Sequence, residues 1–153
     1  MFLPILLLAA PLQSAELAPL DFLVGHCWRG DFSAEEQDTH CFDRTERGEV
    51  RDRHEVVRAG AKVYWGETLY RWDGVASVIR YTYTDSSGGG STGTARPDGA
   101  DLDFSDQSYT AQDGSKITLS TRWVRAGDNA YEAVVTSGTH TGIPKRTRYV
   151  RTD

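Results

Sequence analysis

The sequence predicts an all-β protein, an antiparallel up-and-down barrel of about ten strands behind a short N-terminal helical turn. Three observations predict it. Beyond residue 25, apolar and polar residues alternate at period two, and no long segment repeats at 3.6. Turn signals recur roughly every eight to twelve residues, the strongest being ERGE, RAGAK, WDGV, RPDG, QDGS and AGDN. The composition is rich in Gly, Tyr, Thr and Val, with little Leu after the N-terminus, and so favours pleated strands over helices.

Residues 1–15, MFLPILLLAAPLQSA, are an apolar run ending in small residues. The run is shorter than the roughly twenty residues that span a bilayer, and Pro4 and Pro11 suit a buried helix poorly. A signal peptide cleaved after Ala15 is expected, leaving 16–153 as a single domain, secreted or periplasmic, with no membrane anchor. PLDFLVG then forms the helical turn. Strands are expected at 26–32, 38–45, 49–58, 62–72, 75–84, 90–96, 100–110, 115–125, 129–137 and 143–151. DSSGGGSTG, Asp85 to Gly93, reads as a flexible loop and a weak strand. A formal charge of −5 without a basic run argues against a nucleic-acid partner. The only two cysteines, Cys27 and Cys41, are expected to form a disulfide. With no CxxC motif, no metal site is expected.

A one-residue slip turns every side chain of a strand to the other face, so charge pairing tests each register. Setting Cys27 opposite Cys41 puts Trp28 opposite His40. A three-residue loop at Glu46–Gly48 then pairs Asp43 with Arg51, Phe42 with Asp52 and His40 with His54. A two-residue Ala59-Gly60 turn sets His54 opposite Trp65 and Asp52 opposite Glu67, whereas a three-residue loop pairs Arg53 with Glu67. An Asp73-Gly74 turn sets Glu67 opposite Arg80, Trp65 opposite Thr82 and Leu69 opposite Val78.

Three inward layers result: Trp28–His40–His54–Trp65–Thr82, Phe42–Asp52–Glu67–Arg80 and Val50–Leu69–Val78. A polar band over an apolar floor is the pattern of a lumen that holds a ligand, because unpaired buried charge is costly. The lumen candidates are therefore Trp28, His40, Asp52, His54, Trp65, Glu67 and Arg80. The opposite assignment makes Tyr64, Tyr70, Tyr81 and Tyr83 the core and leaves the charges in solvent. The face of strand 63–69 decides between them.

The segment PLDFLVGHCWRG resembles the opening of calycin-type barrels (nitrobindin-like, fatty-acid-binding-like and lipocalin-like), although two residues rather than one separate Gly25 from Trp28. The resemblance implies that Trp28 packs under an arginine of the last strand to close the barrel. In KRTRYVR the expected partner is Arg148, with Arg146 second. Nitrobindin-like members hold haem through an axial histidine towards the C-terminus. His140 in TSGTHTG is the nearest match, but its Gly- and Thr-rich surroundings read as a loop, and the haem role is not carried over to it.

The expected function is an exported small-molecule-binding barrel for a partly polar or anionic ligand. Arg80, His40 and His54 would supply charge-assisted contacts, and Trp28 and Trp65 flat walls. No cofactor is expected, haem being kept as an alternative. A second alternative is an enzyme using His54 as general base beside Asp52 and Glu67. No serine elbow, HExxH or phosphate loop is present, so no catalytic residue is assigned and binding is favoured. A third is an interaction module or homodimer presenting Tyr64, Tyr81 and Tyr83 on the outer face.

Overall fold

In a computed structural model, which describes residues 15–138 and 142–153, ten strands follow a 3-10 turn at Ala15–Leu20. They are β1 Cys27–Asp31, β2 Glu36–Arg44, β3 Val50–Arg58, β4 Ala61–Asp73 and β5 Val78–Asp85, then β6 Gly90–Asp98, β7 Asp101–Thr110, β8 Lys116–Arg125, β9 Ala130–Ser137 and β10 Arg146–Arg151. Each pairs antiparallel with its sequence neighbours, and β10 pairs with β1, giving the closed up-and-down barrel that the turn spacing predicts. Closure leaves no strand edge unpaired. Residues 1–14 of the expected signal peptide, and His140, lie outside the described residues.

One end of the barrel is plugged. Leu17, Leu20 and Leu23 from the helical turn and the residues after it are fully buried against Trp28, Phe42 and Val50. Trp28 is 0 % exposed, packs edge-on against Phe22 and Tyr131, and donates its indole N–H to the Leu23 carbonyl at 3.2 Å. A large apolar ring with its one donor satisfied is suited to a floor. Beside it, Cys27 and Cys41 face each other across β1 and β2 and are joined by a disulfide. The backbone of Gly25 donates to the Phe42 carbonyl at 2.8 Å, continuing the pairing past the staple.

The first two registers are as expected: Trp28 lies opposite His40, His40 opposite His54, Phe42 opposite Asp52 and Asp43 opposite Arg51. The third and fourth are corrected. The Ala59-Gly60 turn is indeed two residues long, both in the left-handed region (φ 48° and 81°). A β-bulge then inserts Val63 between Lys62, which pairs with Val57, and Tyr64, which pairs with Val56. Beyond the bulge His54 faces Gly66, Asp52 faces Thr68, and Arg53 faces Glu67.

At the next hairpin Asp73 pairs with Val78, so Gly74 to Ser77 form a four-residue loop. The Asp73 carboxylate accepts from the backbone of Val75 and Ala76, both at 3.0 Å, and the left-handed conformation falls on Ser77 (φ 52°). Tyr70 thus faces Tyr81, and Leu69 faces Thr82 on the outer side.

Trp65, Glu67 and Arg80 consequently leave the lumen. Trp65 is 50 % exposed with the Lys62 ammonium 5.3 Å above its ring, and Arg80 pairs with Asp73 at 2.5 Å outside the barrel. Arg148 is corrected as well. Its side chain is 56 % exposed and faces Glu132, as does that of Arg146, because Thr147 and Tyr149 take the inward positions of β10. The arginine of β10 that lies opposite Trp28 is Arg151, and from β8 the Arg125 guanidinium lies 4.6 Å over the ring of Phe22, which packs on Trp28.

Candidate functional site

Above the plug the barrel holds a cavity of about 620 Å³, whose lining includes the partly exposed Phe32, Arg58 and Ile143. All seven tyrosines of the chain line it, namely Tyr64, Tyr70, Tyr81, Tyr83, Tyr109, Tyr131 and Tyr149. The face of β4 that points inward carries Tyr64 and Thr68, so the inside-out assignment holds for β4 and β5 and fails for β2 and β3. The bulge at Val63 is where the two assignments meet. An outer patch of Tyr64, Tyr81 and Tyr83 is therefore not formed.

The polar centre comes from a doubled pattern. β2 carries Asp38-Thr-His40 and β3 carries Asp52-Arg-His54. Alternation along each strand sends all four side chains into the lumen, and the register sets the two histidines directly opposite each other. Their rings stack at 4.8 Å with 14° between planes. The Asp38 carboxylate accepts three bonds, from His40 Nε2 at 2.9 Å, His54 Nδ1 at 3.0 Å and the Tyr149 hydroxyl at 2.7 Å. On the far side of its ring, His40 Nδ1 donates to Asp52 Oδ2 at 2.7 Å. His54 Nε2 meets the Tyr83 hydroxyl at 2.9 Å, and Tyr83 meets Tyr64 at 2.6 Å. An unbroken hydrogen-bonded chain thus runs Asp52–His40–Asp38–His54–Tyr83–Tyr64 across four strands.

Burial and pairing oppose each other along this chain. Burial alone would raise the Asp38 carboxyl, but the charges and hydrogen bonds of His40 and His54 outweigh it and hold the group well below the usual carboxylate range. Burial likewise works to lower His40, and Asp38 and Asp52 on its two sides overcome it, keeping the ring an imidazolium. The phenols of Tyr64, Tyr83 and Tyr149 are pushed up chiefly by burial and stay protonated. At the rim, burial would raise Asp85, yet hydrogen bonds from Ser87, Tyr109 and Tyr64 bring it down to about 2. That carboxylate clasps the glycine-rich hairpin between β5 and β6 through the backbone N–H groups of Ser87 and Gly89.

Three buried side-chain polar atoms have no hydrogen-bond partner among the described residues, the Tyr81 hydroxyl and, beside the chain, Asp52 Oδ1 and the Tyr131 hydroxyl. Asp52 is only 1 % exposed, and all three residues line the cavity. Buried polar atoms left unpaired are costly, so each of these calls for a water, an ion or another polar partner.

Of the seven lumen candidates, His40, Asp52 and His54 meet in the site. Trp28 lies beneath it in the floor, and Trp65, Glu67 and Arg80 are outside. The expected pairing of His54 with Asp52 and Glu67 is replaced: Asp52 holds His40, and Asp38 holds His54. Asp38, Tyr109, Tyr131 and Tyr149 were missed, and Tyr64, Tyr70, Tyr81 and Tyr83 were inward only in the opposite assignment. The repeated Asp-x-His on adjacent strands was the available signal for Asp38, since a residue two before His40 shares its face.

A closed ten-stranded barrel, plugged at one end and lined by a polar cluster above an apolar floor, is consistent with a calycin-like barrel. No family model matches the chain, and no curated protein matches it. No helix among the described residues is long and apolar enough to cross a membrane.

Proposed function

We propose that this protein is an exported carrier or receptor for a small, partly polar molecule held in the barrel lumen. The observation that carries the reading is the cavity of about 620 Å³, within the size range of ligand pockets, with Asp52 Oδ1 and the Tyr131 hydroxyl unpartnered at its base. The tyrosine walls favour a flat, largely apolar body, and the base favours hydrogen-bond donors on that body. An anionic ligand is disfavoured now that Arg80 is outside, and Arg58, in the cavity lining, pairs with Glu36 at 2.5 Å. The Cys27–Cys41 disulfide supports an oxidising compartment, secreted or periplasmic.

The haem alternative gains nothing from the geometry, since the His40 and His54 rings stack on each other at 4.8 Å and leave no room between them for a porphyrin plane. Native mass spectrometry of the protein purified from its own compartment tests the proposal, with a copurifying small molecule expected. Leu119→Trp and Ala133→Trp, which fill the cavity, should release it while the barrel stays folded. Protein that is free of any adduct, and that no flat hydroxylated or amine-bearing compound protects against heat, would overturn the reading.

A further inference from the structure

We propose that Asp38, His40 and His54 form a binding site for a divalent transition ion of the zinc type, with one coordination position open to the lumen. The inference stands apart from the carrier reading, because it concerns the protein's own affinity for a metal. One candidate donor atom from each of the three side chains lies within 4.8 Å of the others. His40 Nε2 and His54 Nδ1 already sit 2.9 and 3.0 Å from the two Asp38 oxygens. Ligand bonds of about 2.0–2.2 Å place neighbouring donors of a tetrahedral ion about 3.3 Å apart. The ion would sit where Asp38 now shares protons with the two rings, drawing donor atoms that lie within 4.8 Å of one another in to that spacing.

What separates this cluster from an ordinary buried ion pair is that every donor group is steadied from behind. His40 Nδ1 is held by Asp52, the carboxylate–histidine arrangement typical of metal ligands. His54 Nε2 is held by the Tyr83 hydroxyl, and the Asp38 carboxylate by Tyr149. A second, independent observation is Asp52, which is 1 % exposed, holds His40 from the far side of its ring and has Oδ1 unpartnered, so that carboxylate charge lies one ring away from the ion to offset it.

The charges and protons balance. On binding, His40 loses its Nε2 proton to solvent and keeps Nδ1–H on Asp52. His54, ligating through Nδ1, carries its proton on Nε2, where it donates to the Tyr83 oxygen, and any proton on Nδ1 leaves with that of His40. The ion's two positive charges then face the two carboxylates of Asp38 and Asp52. All three ligands line the cavity, so the fourth position faces a molecule or water in the lumen. Three protein ligands with one open position is the pattern of zinc sites that act on what they bind.

The test titrates the full chain with zinc alone by calorimetry and with cobalt(II) alone by absorption spectroscopy. One ion per chain is expected, with a tetrahedral cobalt spectrum. Replacing the other two histidines, His26 and His140, by Gln should leave affinity unchanged, while His54→Gln should lower it more than 100-fold. Asp52→Asn, which removes only a support, should lower it about 10- to 100-fold. In the wild-type chain, where folding is not in question, histidine ¹⁵N spectra should show zinc on His40 Nε2 and His54 Nδ1. Absence of stoichiometric binding, its survival in His54→Gln, its loss in the His26/His140 variant, or shifts confined to other histidines would overturn the proposal.

Discussion

Gly66 decides whether the two halves of the polar chain meet. It sits opposite His54, and a Cβ built on it would lie 2.5 Å from the Tyr83 ring and 2.8 Å from His54 Nε2. Only a hydrogen at this place lets the imidazole and the phenol meet at 2.9 Å. Gly66→Ala should therefore drive Tyr83 and His54 apart and destabilise the fold by about 1–3 kcal/mol, the usual cost of overpacking. Urea unfolding together with the His54 ¹⁵N shifts checks this, and unchanged values of both would refute it. At this scale the sequence was informative where strands 1 to 3 are concerned. Charge pairing of Asp43 with Arg51 was enough to set His40 against His54 and to put Asp52 on the same face. It could not reveal that Gly66 is an inward position, because a glycine carries no polarity to be sorted by the two faces.

The element that misled is β4, and the reason is the extra residue at Val63. Its hairpin turn has the expected length, so turn chemistry alone gives a register that is wrong by one beyond the bulge, and one residue exchanges the faces. Trp65 and Glu67 were placed inside for that reason. The loop before β5 added a second error of another kind, sliding β5 along β4 by four residues so that Glu67 faces Thr84, an even shift that leaves the faces as they are. Asp-Gly is a strong two-residue turn signal, but here the Asp73 side chain caps Val75 and Ala76 and lengthens the loop to four residues. Strand number, order and closure survive such slips because they depend on turn spacing, whereas a site depends on parity. The bulge also makes a direct prediction. Deleting Val63 leaves Val56 facing Tyr64 and Val57 facing Lys62 in continuous register, so the faces of β4 should not change. The deletion variant should keep the exposed Trp65 accessible to acrylamide and cost no more than about 1 kcal/mol, within the ordinary single-site range. Protection of Trp65 from the quencher would show instead that the strand had slipped and turned its faces over.

For the whole molecule, the question is what the disulfide contributes to a barrel already closed by hydrogen bonds. Cys27 and Cys41 are 14 residues apart, and closing a loop of that size restricts the unfolded chain by about 3 kcal/mol in the entropic account. In the folded state β1 is held twice over without it. Its Trp28, Arg29 and Gly30 pair with β10 on one side and with β2 on the other, and Thr152 donates to the Cys27 carbonyl at 2.9 Å. The plug adds a third attachment, since Trp28 is tied to the Leu23 carbonyl and buried among Phe22 and Tyr131. The staple therefore acts on the unfolded ensemble more than on the barrel's geometry. Cys27→Ser/Cys41→Ser, or the reduced wild type, should unfold in urea with a stability lower by about 3 kcal/mol. Its near-UV circular dichroism before the transition should keep the tyrosine bands of the oxidised protein, because all seven tyrosines lie on β4, β5, β7, β9 and β10, strands that the disulfide does not touch. Loss of that signal in the absence of urea would mean that the first hairpin cannot hold its place in the ring unaided, and that closure depends on the staple.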